Sequence, residues 1–186
     1  MFYDPSPRNI SFETVRALSV QTGSRAKKVA VTVDAGDEKI DRICEALSPD
    51  YIQAHGSESP ERIEEIHARA GVPVIKAIKV KDAADIAAAS AFAGSADMIL
   101  FDAKAPESLE GALPGGNGIS FDWSLIDGTT DRPRFMLSGG LHAGNLQQAL
   151  EITRAPIADV SSGVESSPGI KDSDQIRAFL AAAKRL

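Results

Sequence analysis

The chain has 186 residues, of which 43% are hydrophobic and 25% charged, with a formal net charge of −6 at pH 7, so we expect one domain spanning residues 1–186 around one substantial core. The acidic balance, without a basic stripe, argues against nucleic acid as a partner. The absence of an export signal or a long apolar span, together with a single cysteine, predicts a cytoplasmic protein without a membrane partner.

Short apolar runs recur along the chain with helical patterns between them. Most begin about 22 residues apart, which is the length of a β/α unit. Runs that are apolar throughout indicate a parallel sheet covered by helices. Ser11 and Ser59 are predicted helix N-caps. The six runs lie at 29–33, 51–55, 74–78, 98–102, 135–137 and 157–160.

The number of strands predicts an incomplete barrel. A strand remnant at residues 1–3 raises the total to seven, whereas a closed (β/α)8 barrel has eight. We therefore predict an α/β fold of the (β/α)8 TIM-barrel class, here with about seven of its eight β/α units and the first one missing.

Two strands near the C-terminus each end in a turn of small residues. Backbone N–H groups in such turns can surround an anion, and in a (β/α)8 barrel phosphate sits beside the loops after the last two strands. We therefore predict binding of a phosphorylated small molecule, while the alternative is that the glycines only permit tight turns. The predicted ligands are Gly139, Gly140, Ser161, Ser162 and Gly163.

The most specific pattern runs from Leu100 through Asp102 to Pro106 and continues from Leu113 to Trp123. This pattern resembles the phosphoribosylanthranilate isomerase family of tryptophan biosynthesis. The resemblance extends in order over essentially all 186 residues. Further matches lie at 6–8, 53–56, 58–60, 137–141, 145, 159–165, 168–169 and 171–172.

The resemblance implies an enzyme that carries out an Amadori rearrangement. It converts N-(5′-phosphoribosyl)anthranilate to 1-(o-carboxyphenylamino)-1-deoxyribulose 5-phosphate, and it needs neither a metal nor an organic cofactor. A general acid protonates the furanose ring oxygen, and a general base then removes the C2′ proton of the resulting Schiff base. Two alternatives are a barrel that binds phosphorylated ligands without catalysis and a related barrel acting on another ribosyl phosphate. We expect a monomer or a homodimer.

The resemblance also assigns side chains to these tasks. Asp102 matches the general acid, although a strand-end aspartate can also cap the next loop. Arg8 matches the residue that pairs with the anthranilate carboxylate, for which a planar guanidinium is suited, unless it is a solvated loop residue. Asp159 is predicted to line the site or to orient neighbouring turns. His55 either faces the pocket or is structural.

The general base is where the chain departs from the family pattern. The family uses a cysteine in a Lys-Ile-Cys-Gly-like motif at the end of the first strand, and this sequence contains no such motif. Its cysteine, Cys44, shares an apolar helical face with Ile40, Ile43 and Leu47, so we predict a core position and assign it no catalytic role. We expect that the first β/α unit lies upstream of Met1, and that the 186-residue form lacks proton abstraction.

Overall fold

The computed structural model describes residues 1–104, 115, 118–126 and 134–184. Its contacts divide the chain into two compact units. The first unit comprises Met1–Ala77 and Ala91–Met98, and the second comprises Ile78–Ser90 and Ile99–Leu186. Among the described residues, no helix has both the length and the apolar character needed to cross a membrane.

Strands and helices alternate in the first unit. The neighbouring strands are parallel, with Val29 opposite Tyr51 and Ile52 opposite Val74. Phe2 forms a parallel bridge with Thr32, which confirms the predicted strand remnant. The elements are α1 (Phe12–Thr22), β1 (Val29–Thr32), α2 (Asp37–Leu47), β2 (Tyr51–Ala54), α3 (Pro60–Ala70) and the beginning of β3 (Val74–Val80).

Local sequence signals set the helix boundaries in this unit. The Ser11 hydroxyl accepts the Thr14 N–H at 3.1 Å, and the Ser59 hydroxyl accepts the Arg62 N–H at 3.3 Å. Both predicted N-caps are therefore confirmed. Helix α3 ends at Ala70 and is capped by Gly71, whose φ of +65° belongs to the left-handed region that favours glycine.

Aliphatic side chains from the strands and the inner helix faces form the core of the first unit. Burial of each such side chain stabilises the fold by about 1.5–3 kcal/mol. This core holds the strands in register and so fixes the positions of the turns at their C-terminal ends. Its largest fully buried members include Ile40, Ile43, Ile52, Ile63, Ile66 and Val74.

The second unit contains a further set of parallel strands and a hairpin. Ile99 lies opposite Phe135, and Met136 lies opposite Ile157. The elements are the end of β3, α4 (Ala83–Ala88), β4 (Met98–Ala103, of which Met98 belongs to the first unit), β5 (Phe135–Leu137), α5 (Leu146–Thr153), β6 (Ile157–Ala158), β7 (Glu165–Ser167), β8 (Ile170–Lys171) and α6 (Ser173–Ala183). Short 3₁₀ helices lie at Trp123–Ile126 and Ser162–Val164, and a third, Ala89–Phe92, is divided between the two units.

Strand order follows chain order in each unit, β1-β2-β3 in the first and β4-β5-β6 in the second. Parallel strands in sequential order are the pattern of a (β/α)8 barrel. All six predicted apolar runs contain strands, although the first two are each one residue shorter than predicted and the last is two residues shorter. The antiparallel β7–β8 hairpin was not predicted from the sequence. The single-domain assignment stays a prediction.

Candidate functional site

Asp102 lies near the C-terminal end of the buried strand β4. The side chains of Ile99, Leu100 and Phe101 pack into the core, and Asp102 itself is only 4% exposed. One of its carboxylate oxygens, Oδ1, accepts the Ala103 N–H at 3.0 Å. A polar side chain at the carboxyl end of a parallel strand is where (β/α)8 enzymes place catalytic groups.

One pocket of the second unit brings together most of the predicted site residues. Asp102 contributes from β4, and the turns after β5 and β6 supply further lining residues. Two carboxyl side chains and two glycine- or serine-rich turns therefore line the same pocket. The predicted residues that line it are Asp102, Gly139, Gly140, Asp159, Ser161 and Ser162.

The turn after β5 needs glycine at two successive positions. Gly139 and Gly140 have φ values of +88° and +63°, in the region where other residues are strained. A Cβ at Gly139 would lie 2.7 Å from the Ala103 backbone nitrogen, and one at Gly140 would lie 2.8 Å from the Ser120 nitrogen. The glycines thus permit the tight turn, as the alternative interpretation held, and their small size also brings this turn against the end of β4.

Gly163 has a different surrounding from the other predicted phosphate ligands. It does not appear among the residues that line the pocket. A Cβ there would lie 1.9 Å from the Leu141 carbonyl oxygen, so glycine is required for the close approach of two backbones. Its proposed contact with phosphate stays a prediction.

Backbone donors at the pocket, among them those of Gly140 and Ser162, are available to a ligand. In the part of the chain that the structure describes, the N–H groups of Gly140 and Ser162 donate to no protein acceptor. Both residues line the pocket. Uncompensated N–H groups from adjacent turns form the kind of concavity that binds anions.

Asp159 is held by a serine that the sequence analysis did not single out. The Ser138 hydroxyl donates to Asp159 Oδ2 at 3.0 Å. The backbone N–H of Asp159 donates to the Leu137 carbonyl, and that of Ser138 donates to the Phe101 carbonyl, both at 2.8 Å. These bonds link the ends of β4, β5 and β6. The position of Ser138 directly before Gly139 was the signal that could have revealed it.

Arg8 and His55 belong to the first unit, each after a segment that pairs in the sheet. Arg8 is half-buried, and its backbone N–H donates to the Ser6 hydroxyl at 3.2 Å. His55 is 5% exposed, and its Nδ1 lies 3.1 Å from Gln53 Nε2. The histidine contact is compatible with both interpretations given above. The roles of Arg8 and His55 therefore stay predictions.

The first unit also contains a buried ion pair that sequence reasoning missed. Lys76 Nζ lies 2.7 Å from Glu58 Oε2 and 2.8 Å from the Gly56 carbonyl oxygen. Burial alone raises the pKa of Glu58, but the hydrogen bond and charge of Lys76, with the Asp34 N–H, bring that pKa below its ordinary value. The signal was a lysine inside an apolar strand run.

Cys44 lies on α2 with Ile40, Ile43 and Leu47 buried on the same face, as predicted. Burial, with a contribution from the Asp41 carboxylate, raises the pKa of the Cys44 thiol. Since the thiolate is the basic and nucleophilic form, this environment disfavours chemistry at Cys44. Among the described residues, no cluster of three or more histidine, cysteine, aspartate or glutamate side chains is arranged to hold a metal ion.

Comparisons with known proteins agree with these observations. The family model described as N-(5'phosphoribosyl)anthranilate (PRA) isomerase matches residues 1–182. The N-(5'-phosphoribosyl)anthranilate isomerase of Parvibaculum lavamentivorans is 50% identical over 185 residues, which cover 100% of this chain and 86% of that protein.

Solved structures show the same similarity. The crystal structure of phosphoribosyl anthranilate isomerase from Thermotoga maritima matches with a TM-score of 0.86 and 38% identity, covering 100% of this chain and 86% of that one. A phosphoribosyl anthranilate isomerase in complex with reduced 1-(o-carboxyphenylamino)-1-deoxyribulose 5-phosphate matches with a TM-score of 0.83 and 36% identity, covering 100% and 85%. These matches confirm the predicted fold class.

Proposed function

Because the chain belongs to the N-(5'-phosphoribosyl)anthranilate isomerase family, we propose that the pocket at the ends of β4, β5 and β6 carries the family reaction. The family predicted from the sequence motifs is thereby confirmed. The reaction converts N-(5′-phosphoribosyl)anthranilate to 1-(o-carboxyphenylamino)-1-deoxyribulose 5-phosphate, an isomerase step of tryptophan biosynthesis. The observation that carries the proposal is that Asp102 shares one pocket with both small-residue turns.

The two turns hold the 5′-phosphate in this proposal. Gly140 and Ser162 both line the pocket, and the backbone N–H group of each has no acceptor among the described residues. Backbone donors stabilise a phosphate without a cationic side chain in contact, since their positions are fixed by the turns. The structure of a family member with a reduced 5-phosphate analogue supports a phosphorylated ligand for this chain.

Asp102 acts as the general acid. It donates a proton to the furanose ring oxygen, the C1′–O4′ bond breaks, and the nitrogen lone pair forms the Schiff base. A carboxyl group that is 4% exposed is shielded from bulk water, so its proton is delivered to the substrate rather than exchanged with solvent. A base then removes the C2′ proton, and the resulting enaminol tautomerises to the ketone product. The role of Arg8, which the family pattern pairs with the anthranilate carboxylate, stays a prediction.

Cys44 does not supply the base, because its position on α2 and the raised pKa of its thiol oppose that role. This observation favours a second candidate function for the 186-residue chain, which is binding of phosphorylated ligands without turnover. Both candidates use the same phosphate turns, so ligand binding alone does not separate them.

Turnover and binding, measured side by side, test the proposal. Loss of anthranilate fluorescence reports conversion of N-(5′-phosphoribosyl)anthranilate by the 186-residue chain and by a version extended upstream with a first β/α unit. Calorimetry with the reduced product analogue measures binding to both. Turnover by either version supports the isomerase, whereas binding without turnover by both supports the second candidate. If both versions show no turnover and no binding, the proposed site is overturned.

A further inference from the structure

A short antiparallel hairpin follows the turn that we assign to the phosphate group. In this hairpin, Glu165 of β7 lies opposite Lys171 of β8. The 3₁₀ helix Ser162–Val164 leads directly into it, and the Asp172 N–H donates to the Val164 carbonyl at 2.9 Å. The hairpin and the turn are therefore joined by hydrogen bonds within the second unit.

The ammonium group of Lys171 connects the hairpin to the turn. Its Nζ lies 2.8 Å from the Ser161 carbonyl oxygen and 2.8 Å from Glu165 Oε1. The Glu165 side chain is only 3% exposed, and its second oxygen accepts the Gly169 N–H at 3.3 Å. The buried carboxylate thus fixes the ammonium group, and the ammonium group fixes the carbonyl.

The anchored carbonyl belongs to the same peptide unit as the Ser162 N–H. Because a trans peptide unit is planar, its C=O and N–H bonds point in opposite directions, and the described residues contain no cis peptide bond. Fixing the Ser161 oxygen therefore also fixes the direction of the Ser162 N–H. The ammonium charge further polarises this peptide, which makes the N–H a stronger donor.

We propose that Lys171, held by Glu165, is a positioning residue that orients the Ser161–Ser162 peptide toward the substrate phosphate. The inference rests on the proposed function, because it places phosphate at this turn. It also makes a prediction that simple charge attraction does not. Removing the Glu165 carboxylate takes negative charge away from an anion site, yet it weakens anion binding because it releases Lys171.

The test measures binding of inorganic phosphate to the full 186-residue chain by phosphorus NMR titration. Lys171→Met and Glu165→Gln are each expected to weaken binding about tenfold, since each disrupts a charge-assisted contact. Lys171→Arg keeps the positive charge, and its phosphate binding is expected to stay within about threefold of that of the unmodified chain. Arg177→Met is the matched control, because it removes an exposed α6 cation that pairs with Asp174, and it is expected to leave binding unchanged.

Tighter phosphate binding by Glu165→Gln would overturn the inference, because Lys171 would then act only as a charge. Unchanged binding by Lys171→Met would overturn it as well. Absence of phosphate binding by the unmodified chain would instead overturn the phosphate site of the proposed function, so the two failures are distinguishable. If thermal unfolding shows that Glu165→Gln does not fold, Glu165→Asp is used instead, because its side chain is one methylene shorter, which lengthens the contact with Lys171 and is expected to weaken phosphate binding.

Discussion

Lys76 and Glu58 form a salt bridge with 2.7 Å between Nζ and Oε2, and their side chains are only 4% and 1% exposed. The second carboxylate oxygen, Oε1, accepts the Asp34 N–H at 2.9 Å, while Gly56 donates its N–H to the same carboxylate. The pair therefore joins the turn after β1, the turn after β2 and strand β3. His55 lies directly before Gly56 in the turn after β2. The ion pair therefore restrains the segment that carries this predicted site residue.

Loss of one partner of this pair is expected to be strongly destabilising. Glu58→Gln leaves the Lys76 ammonium group buried without its counter-ion, and we expect the free energy of unfolding to fall by about 3–5 kcal/mol. Urea denaturation measures the change. Glu64→Gln, on the exposed side of α3, is the matched control and is expected to change stability by less than about 0.5 kcal/mol. Equal effects of the two substitutions would contradict a stabilising role for the pair.

The same pair is expected to make stability depend on pH. The folded-state pKa of Glu58 lies below the ordinary value of 4.5, so its contribution is fully present above that pH and is lost as the pH falls below it. The Glu58→Gln/Lys76→Met double variant contains neither titrating group. Thermal melts of both proteins between neutral pH and pH 3 measure the effect.

We expect any stability advantage of the unmodified chain over the double variant to shrink as the solution is acidified below pH 4.5. A difference that stays constant across this range would show that Glu58 titrates alike in the folded and unfolded states. A difference that grows on acidification would contradict the direction of the pKa shift.

Local patterns predicted the strands, because each apolar run contains a strand of the parallel sheet, and they predicted the caps at Ser11 and Ser59. They did not predict the Lys76 to Glu58 contact. Lysine is among the residues that are almost never fully buried unless paired, and its partner here lies 18 residues away in the chain. Such a contact depends on how the strands align, which single-sequence periodicity does not report.

The site was predicted in a similarly uneven way. Small residues after two strands pointed to the pocket because turn chemistry is local. The contact of Lys171 with Ser161 was missed, because it depends on a hairpin whose strands have only three and two residues. Strands that short carry no detectable alternation.

Asp102→Asn is expected to abolish most of the turnover while leaving the fold intact. Asparagine keeps an oxygen that can accept the Ala103 N–H, but it is not a proton donor of suitable acidity for the ring oxygen. We expect kcat to fall by about 10²–10⁴-fold in whichever chain length turns over. Asp174→Asn, on exposed α6, is the control and should retain full turnover. Full activity of Asp102→Asn would remove Asp102 from the acid role.

Gly139→Ala is expected to disturb both stability and catalysis. The added Cβ would lie 2.7 Å from the Ala103 nitrogen, and the φ of +88° would be strained. Because Ala103 follows Asp102 directly, the end of β4 must shift. We expect a loss of about 1–3 kcal/mol in the free energy of unfolding, with reduced kcat. Gly94→Ala is the control, since a Cβ there meets nothing within 4 Å. Equal stability of the two variants would contradict the close approach.

Cys44→Ala tests whether the cysteine of this chain takes part in proton transfer. Its thiol lies on the α2 face that packs against the core, and burial raises its pKa, so little thiolate is present near neutral pH. In whichever chain length turns over, we expect Cys44→Ala to keep kcat within about twofold of the unmodified protein, because general-base loss would instead cost about 10²–10⁴-fold. Anthranilate fluorescence measures turnover, and a urea melt shows whether the smaller side chain has loosened the core. A drop in kcat of that larger size without loss of stability would assign the base to Cys44.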